Sequence, residues 1–454
     1  MNKSIFAVII KLQKTLNSLK MIQRGVIVMA LNREKYQNYV NILKEELIPA
    51  LGCTEPIAIA YASAKAREVL GVMPERIVAE CSGNIFKNVK GVIIPTTKYL
   101  RGVEAAAILG AVGGDASKAL EVLSNVNEKH QEQTKLLLEK GICQEKILDT
   151  PAKLHIIIRA YSGDESALVE IVHTHTGIVR IEKNAKVVLD VPHEMEEEKI
   201  RTTDRECMNI EDILEFANTV DSSDVKDILN RQIQYNTAIS DEGLHKIYGA
   251  NIGMTLLSAY GDDVRIRAKA AAAAGSDARM SGCELPVIIN SGSGNQGMTV
   301  SLPVIVYAKE LCITTERLYR ALCVSNLVAI HQKTKIGRLS AYCGAVSAAT
   351  GAGAGISYLY GGGVKEISHT ITSTLANVSG IVCDGAKPSC AAKIASSVDA
   401  ALLACYMTMQ GRSFKSGEGI VKDSIEGTID SVGKLAANGM KVTDEEILRI
   451  MVNS

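Results

Sequence analysis

Residues 343–363 read Cys-Gly-Ala-Val-Ser-Ala-Ala-Thr-Gly-Ala-Gly-Ala-Gly-Ile-Ser-Tyr-Leu-Tyr-Gly-Gly-Gly, a run built largely from small residues. Small side chains let neighbouring backbones approach closely, so the run predicts a buried central helix or a tight loop around a bound group. Residues 270–274, all alanine, predict the same. A membrane span is the alternative for the longer run, but Ser347, Thr350, Ser357 and the glycines leave it short of the roughly 20 strongly apolar residues that a span needs. We therefore expect no membrane span.

The composition is that of an ordinary soluble globular chain. Its 454 residues exceed what one hydrophobic core usually organises, and 47% of them are hydrophobic, so two or three structural units are expected. The 50 basic and 50 acidic residues cancel, aromatic residues make up 4%, and tryptophan is absent. A chain without a positive field or aromatic stacking surfaces is a poor nucleic-acid binder, so we expect no nucleic-acid partner.

Eleven cysteines without a secretory segment indicate a reducing compartment, in which free thiols serve packing, metal binding or catalysis. We therefore expect a cytoplasmic protein. Residues 1–28 carry five basic residues and no acidic one, and their apolar run is shorter than the core of a signal peptide. They are expected to form a poorly ordered extension before a domain that starts near residue 30.

Hydrophobic periodicity divides the rest of the chain into three parts and predicts an α+β fold. Residues 30–75 show helical spacing, with a break at Pro49 and a second helix from about Thr54 to Gly71, and are expected to pack against the C-terminal domain. Residues 76–192 form a smaller mixed α+β domain. Residues 206–454 follow a charged connector and are expected to be helical throughout. In the middle part we predict strands at 77–81, 92–94, 154–160, 167–174 and 178–189, the last three as a meander, and helices at 104–112 and 116–140.

Three cysteines near the C-terminus, Cys343, Cys383 and Cys390, are candidate metal ligands. Thirty-nine residues separate the first pair and six separate the second, so the spacing is not the close C-x2-C run of electron-carrier ferredoxins. Structural zinc sites usually take four ligands, commonly as close pairs, and the sequence has no such pairing here. Three thiolates suit a four-iron cluster whose fourth iron is free to act as a Lewis acid. Three unrelated core cysteines are the alternative, and the spacing alone does not decide between them.

Cys53 lies in the stretch Leu-Gly-Cys-Thr-Glu-Pro (residues 51–56), directly before a predicted helix. The partial positive charge at a helix N-terminus stabilises a thiolate and lowers its pKa, so this thiol is a candidate base. A buried thiol that only caps the helix is the alternative.

Two polar segments are candidate binding sites for a small substrate. Residues 291–297, Ser-Gly-Ser-Gly-Asn-Gln-Gly, follow an apolar run, and a glycine-rich turn can direct several backbone N–H groups at an anion such as a carboxylate. Their spacing does not match the nucleotide-binding patterns, and a plain structural turn is the alternative. Residues 82–84 (Ser-Gly-Asn), with Lys87 and Asn88, follow a predicted strand and can donate hydrogen bonds to a polar substrate, although such loops are usually only solvated.

His173 and His175 stand two residues apart on a predicted strand and would share one face of it. Such a pair permits a metal site. Because no carboxylate or third histidine accompanies the pair closely, we expect none there.

Four segments together resemble one family: residues 51–56, residues 82–84, residues 291–297, and Cys343-Gly344-Ala345 with Cys383-Asp384-Gly385-Ala386-Lys387-Pro388-Ser389-Cys390. From about residue 30 to its end, the chain resembles the L-cysteine desulfidases, a group related to the α chain of iron–sulfur L-serine dehydratases.

The resemblance implies an oxygen-sensitive [4Fe-4S] cluster on Cys343, Cys383 and Cys390, without pyridoxal phosphate, in a helical catalytic domain of residues 206–454. It implies an α,β-elimination that converts L-cysteine to pyruvate, ammonia and hydrogen sulfide. Cys53 would be the base, or instead a ligand of the resting cluster. The substrate-binding residues would be Thr54, Glu55, Ser82, Asn84, Lys87, Ser293, Gly294, Asn295, Gln296 and Gly297.

Two other functions remain open at this point. Serine dehydratases share the cluster-binding section, so an L-serine dehydratase that releases hydroxide is the first alternative. A non-catalytic iron–sulfur redox sensor is the second, and the glycine-rich turn and Cys53 count against it. The expected partner is a small amino-acid substrate, without nucleic acid or membrane, and assembly into a homo-oligomer is left open.

Overall fold

A computed structural model describes residues 31–97, 99–195, 203–337 and 339–452 of the protein. The predicted N-terminal extension, residues 1–28, lies outside the described residues. In the described part, helices predominate and accompany one six-stranded sheet and one two-stranded sheet. The predicted α+β class is confirmed.

The strands of the described residues are β1 (Pro49–Leu51), β2 (Arg76–Ser82), β3 (Cys143–Leu148), β4 (His155–Ser162), β5 (Glu165–Val172), β6 (Ile178–Lys183), β7 (Lys186–Asp190) and β8 (Pro286–Ile288). β1 and β8 pair antiparallel in the small sheet. The large sheet has the order β3-β2-β4-β5-β6-β7, in which β2 and β3 run parallel and the other neighbours antiparallel.

The helices before the connector are α1 (Arg33–Glu46), α2 (Thr54–Leu70), α3 (Gly83–Lys90), α4 (Val103–Gly113) and α5 (Glu128–Glu139). Those after it are α6 (Ile210–Thr219), α7 (Ser222–His245), α8 (Ile252–Tyr260), α9 (Val264–Met280), α10 (Gly294–Glu310), α11 (Thr315–Ile336), α12 (Gly344–Leu359), α13 (Val364–Val378), α14 (Cys390–Met409), α15 (Ile425–Lys434) and α16 (Lys441–Val452).

The N-terminal helices follow their sequence signals. Helix α1 begins after Asn32, whose side chain accepts a hydrogen bond from the backbone N–H of Lys35. Helix α2 ends at Gly71, which adopts a left-handed conformation with φ 88°. Its N-cap is Cys53. Helix α2 packs against α4 and against β4 and β5, so it lies between the large sheet and a neighbouring helix.

The predicted meander is confirmed by β4, β5 and β6, but residues 178–189 are two strands instead of one. Asn184 and Ala185 have φ of 50° and 60°, and this pair turns the chain back into a hairpin between β6 and β7. Strand β3 was not predicted, because most of its residues are exposed and show no alternation of apolar and polar side chains.

Two predictions in the middle part are wrong. Residues 92–94 form no strand: Val92 and Ile94 are buried before a turn in which the Thr97 N–H donates to Ile94 O, so their apolar character serves core packing. Residues 116–140 are not one helix, because Ala119 has a φ of 47° and a 3-10 segment precedes α5. Asn127 then starts α5 with a side-chain cap.

The small-residue run forms helix α12, which lies buried among α10, α11, α13 and α14. A Cβ atom on Gly351 would lie 2.4 Å from Ser325 O of α11, so only glycine permits this approach. The predicted buried central helix is confirmed. Among the described residues, one helix, α14, is long and apolar enough to cross a membrane, and 56% of that stretch is buried inside the protein, as in a core helix.

Asp277 in the alanine-rich helix α9 makes the stability depend on pH. One of its carboxylate oxygens accepts a hydrogen bond from Gly253 N at 3.0 Å, and the other has no partner among the described residues. Burial raises its pKa from 3.8 to about 6. Because the folded-state pKa lies above the unfolded one, the favourable contribution of this group is complete below about pH 4 and is lost as the pH rises through 6.

We therefore expect Asp277→Asn to raise the free energy of unfolding by about 1–3 kcal/mol at pH 8 and by less at pH 5. Asparagine keeps an oxygen for the Gly253 N–H and removes the buried charge. Urea denaturation at the two pH values measures the difference. An equal effect at both would show that the buried charge is not its cause.

Candidate active site

A cavity of about 100 Å³ lies where the six-stranded sheet meets the helices. Both regions line it: Asn88 is in α3, His175 follows β5, Arg279 is near the end of α9, and Cys343 precedes α12. The cavity is therefore assembled from segments that are far apart in the sequence.

All three candidate ligand thiols, of Cys343, Cys383 and Cys390, line this cavity. The backbone N–H of Cys343 donates to Ile381 O at 3.1 Å, and that of Cys383 donates to Ala341 O at 2.6 Å, so the two segments lie side by side. Cys390 is the first residue of α14. The fold thus brings together three thiols that the sequence separates, and all three are free of disulfides.

The donor chemistry of this wall suits an iron–sulfur cluster, which is held by cysteine sulfur. Burial raises the pKa of Cys343 to about 12, with a further contribution from Cys383, and burial also raises the pKa of Cys390. These two thiols are therefore neutral at pH 7 in the metal-free protein, and a bound metal must displace their protons. Within the described residues, no three His, Cys, Asp or Glu side chains converge on a single ion. The three cysteines instead line one cavity.

Ion pairs fasten the loop between Cys383 and Cys390. Burial alone would raise the pKa of Asp384, but hydrogen bonds from Lys387 and Lys393 hold it below the ordinary value. Two ammonium groups on one ionised carboxylate restrict the loop, and with it the spacing of the two thiols.

Lys87 was predicted to bind substrate, but it contacts the loop between Cys383 and Cys390 on the side away from the cavity. Its side chain is only 1% exposed, and its Nζ lies 3.4 Å from Cys383 O and forms an ion pair with Asp444 of α16. Lys87 does not line the cavity, whereas its neighbour Asn88 does.

The other N-terminal residues predicted to bind substrate also fall into two groups, those that line the cavity and those that do not. Glu55 lines the cavity. Thr54 lies behind it, with its hydroxyl donating to Gly292 O at 3.1 Å. Ser82 and Asn84 are also absent from the lining, and the Ser82 hydroxyl donates to a backbone oxygen elsewhere in the sheet region.

The glycine-rich turn forms another part of the cavity wall. Of the residues predicted there, Ser293, Asn295 and Gln296 line the cavity, whereas Gly294 and Gly297 do not. The two glycines serve close packing at the start of α10: a Cβ on Gly297 would lie 1.9 Å from Ile288 O, and one on Gly294 would lie 2.4 Å from Arg279 Nε.

Buried amides hold this turn in place. Asn290, directly before it, donates to Asn326 Oδ1 at 3.0 Å, and Asn326 in turn donates to Gln232 Oε1 at 2.8 Å. Asn236 accepts from Ile288 N at 2.9 Å. A buried network of this kind is rigid when its polar groups are paired, so the turn has a defined shape before any ligand binds.

Arg279 and Lys333 line the cavity and were not predicted from the sequence. Arg279 is 3% exposed; its Nε donates to Gly52 O at 3.0 Å and its Nη1 to Asn295 Oδ1 at 3.2 Å. A buried guanidinium beside a glycine-rich turn is suited to a carboxylate. The one feature of the sequence that could have pointed to Arg279 is its position, as a charged residue, at the end of an alanine-rich helix.

The predicted direction of the pKa shift of Cys53 is wrong. Its thiol was expected to have a lowered pKa, but burial raises the pKa to about 12, and Arg279 offsets only part of this effect. The thiol is 1% exposed, lies 3.9 Å from Met280 Sδ and packs near Cys390, but it is not part of the cavity lining. Desolvation therefore outweighs the helix N-terminus, and the group is a neutral thiol at pH 7.

Comparison with known proteins relates most of the chain to one family. A family model described as serine dehydratase alpha chain matches residues 117–449. A protein of Lachnoclostridium phytofermentans named UPF0597 protein is 62% identical over 418 residues, which cover 92% of this chain and 100% of that relative. Relatives named in the same way from Desulfitobacterium hafniense and Treponema denticola are 54% and 50% identical, cover 92% and 93% of this chain, and are themselves covered to 97% and 100%.

Proposed function

Because the chain belongs to the serine dehydratase alpha chain family, we propose that it is an iron–sulfur lyase that performs an α,β-elimination on L-cysteine. The products are pyruvate, ammonia and hydrogen sulfide. One observation carries the proposal: a single cavity combines three cysteine thiols with a buried arginine and a glycine-rich turn. The thiols suit a cluster, and the arginine and the turn suit the carboxylate of an amino acid.

The carboxylate of the substrate is assigned to Arg279 and to the turn before α10. The N-cap of this 17-residue helix, Ser293, makes no side-chain capping bond, and Asn295 lies in its first turn beside the guanidinium. Helix N-termini and guanidinium groups both favour anions. Fixing the carboxylate there restricts the orientation of Cα and Cβ, which is a large part of what an active site supplies.

Cys343, Cys383 and Cys390 would hold a [4Fe-4S] cluster, and the proposal involves no pyridoxal phosphate. When bound, the cluster supplies a Lewis acid for the departing heteroatom. The chain itself binds the carboxylate, excludes bulk water from the cavity and receives the proton from Cα.

The proposed reaction balances without an added oxidant or reductant. The Cα–H bond breaks and its electron pair forms the Cα–Cβ double bond, while the Cβ–S bond breaks and its electrons leave with sulfur. The resulting 2-aminoacrylate takes a proton at Cβ, and the imine adds water to give pyruvate and ammonia. Such an elimination requires a proton acceptor close to Cα.

An L-serine dehydratase is the second candidate function, because the matching family model bears that description. The resemblance of residues 51–56 to the desulfidases supports cysteine instead. The two candidates differ only in the heteroatom that leaves Cβ.

Anaerobic purification, reconstitution with iron and sulfide, and assays of pyruvate and sulfide with each amino acid test the proposal. We expect kcat/KM to be at least about tenfold higher for L-cysteine than for L-serine. The opposite preference would establish the serine dehydratase. A colourless protein that takes up no iron, or a brown protein that yields no product from either substrate, would overturn the lyase.

A further inference from the structure

We propose that His175, assisted by Glu55, is the group that accepts the proton from Cα. The inference rests on the proposed elimination and deepens it, since it names a residue that the sequence resemblance does not assign. It also gives a catalytic task to the sheet region, because His175 follows β5 and reaches the cavity from there.

The position of His175 carries the argument. The side chain is 7% exposed and lines the cavity, and its Nε2 is buried without a hydrogen-bond partner among the described residues. A buried polar atom normally has a partner, so one that faces a cavity without any is suited to a ligand. With the ring proton on Nδ1, the Nε2 carries a lone pair that can take a proton from the substrate.

The loop that carries His175 is tightly built. The Val172 N–H donates to Gly177 O at 3.1 Å, and the Gly177 N–H donates to Thr174 O at 3.0 Å, which closes the segment between β5 and β6. The His173 N–H donates to Leu154 O at 2.9 Å, and Leu154 also lines the cavity. These hydrogen bonds fix the backbone that carries the imidazole. His175 was predicted to lie on a strand, but it lies in the turn after β5.

Glu55 is placed to assist this histidine. Its Oε1 lies 3.9 Å from His175 Nε2, close enough to stabilise an imidazolium and too far to occupy the nitrogen with a hydrogen bond. Burial alone would raise the pKa of Glu55, but a protonated His175, together with Arg279, holds it below the ordinary value, so the carboxylate is ionised when the imidazolium has formed. A base that is stabilised by a carboxylate is a recurring catalytic arrangement.

The rival acceptor is Cys53. Its thiol contacts Met280 and stands outside the cavity lining, so it would have to reach past its neighbours to contact Cα. His175 already lines the cavity. In the proposed step the Cα–H bond breaks, a new N–H bond forms at Nε2, and the imidazolium later returns this proton to Cβ of the aminoacrylate.

Three variants separate the two acceptors: His175→Gln, Cys53→Ser and, as a matched control, His155→Gln. His155 forms a similar buried pair in the same region, with Nε2 2.8 Å from Glu170 Oε1, and does not line the cavity. Each variant is loaded anaerobically, its iron and sulfide content is measured, and kcat is determined with L-cysteine and with L-cysteine deuterated at Cα.

We expect His175→Gln to take up the cluster like the wild type, to lose about 10²- to 10⁴-fold in kcat, and to show a larger deuterium isotope effect. A purely structural role would leave the isotope effect unchanged. We expect the cluster-free variant to bind L-cysteine in calorimetry within about threefold of the wild-type affinity, because His175 is assigned to the proton and Arg279 to the carboxylate. His155→Gln should keep the wild-type kcat and isotope effect.

The inference is overturned if His175→Gln retains kcat within about threefold of the wild type, and most clearly if Cys53→Ser alone removes turnover with its cluster intact. Should His175→Gln fail to fold, Glu55→Gln decides: we expect a loss of about tenfold or more in kcat, and an unchanged kcat contradicts the proposal. Wild-type protein that is inactive on both L-cysteine and L-serine would instead count against the proposed function itself.

Discussion

Cys383→Ser is expected to abolish cluster binding and, with it, turnover. Cys383 is one of three thiols around the cavity, and its backbone is held beside that of Cys343 by hydrogen bonds on both sides of a short bridge. A hydroxyl is a much poorer ligand for iron than a thiolate. Lewis-acid assistance contributes several kcal/mol to such reactions, so we expect kcat to fall by about 10³-fold or more. Iron and sulfide analysis with visible absorption, followed by the sulfide assay, measures both effects.

Cys405→Ser provides the matched control. Cys405 is a buried thiol in α14, the helix that Cys390 begins, and burial alone raises its pKa. It does not line the cavity, so its variant should take up the cluster and turn over like the wild type. If Cys383→Ser binds as much iron as Cys405→Ser, then the three thiols are not the ligands and the proposed cofactor is wrong.

The sequence predicted those parts of the fold that are set by the types of residue within one short segment. The small residues of 344–363 predicted the buried helix α12, because small side chains permit close contact with neighbouring backbones. Gly71 marked the end of the second helix through its capping conformation. The glycine-rich turn and the three late cysteines were singled out by residue type, and the fold places them on one cavity.

What the sequence could not show depends on burial and on contacts between distant segments. The pKa of Cys53 was given the wrong direction, because desolvation is set by the residues that cover the thiol and not by the helix that follows it. Arg279 and His175 reach the cavity only through tertiary packing; Arg279 stands in no motif, and His175 was noted only as part of a histidine pair. Val92 and Ile94 are apolar and buried in the core, so a strand was predicted at residues 92–94 where no strand forms.

Gly385→Ala is expected to disrupt the loop that spaces Cys383 and Cys390. Gly385 has a φ of 91°, which L side chains rarely adopt, and a Cβ there would lie 2.1 Å from Lys87 O in α3. The backbone of a packed helix cannot yield to such an overlap, so the loop must move. We expect the free energy of unfolding of the cluster-free protein to fall by about 2–4 kcal/mol, and the iron content after reconstitution to fall with it.

Gly380→Ala is the control, because Gly380 lies just before the same loop and a Cβ on it would meet open space. Its free energy of unfolding should change by no more than about 0.5 kcal/mol, and its cluster content should not change. Urea denaturation and iron analysis of the two variants side by side make the comparison. If Gly385→Ala unfolds and takes up iron like Gly380→Ala, then the loop can leave α3 without cost, and a fixed spacing of Cys383 and Cys390 is not what determines cluster binding.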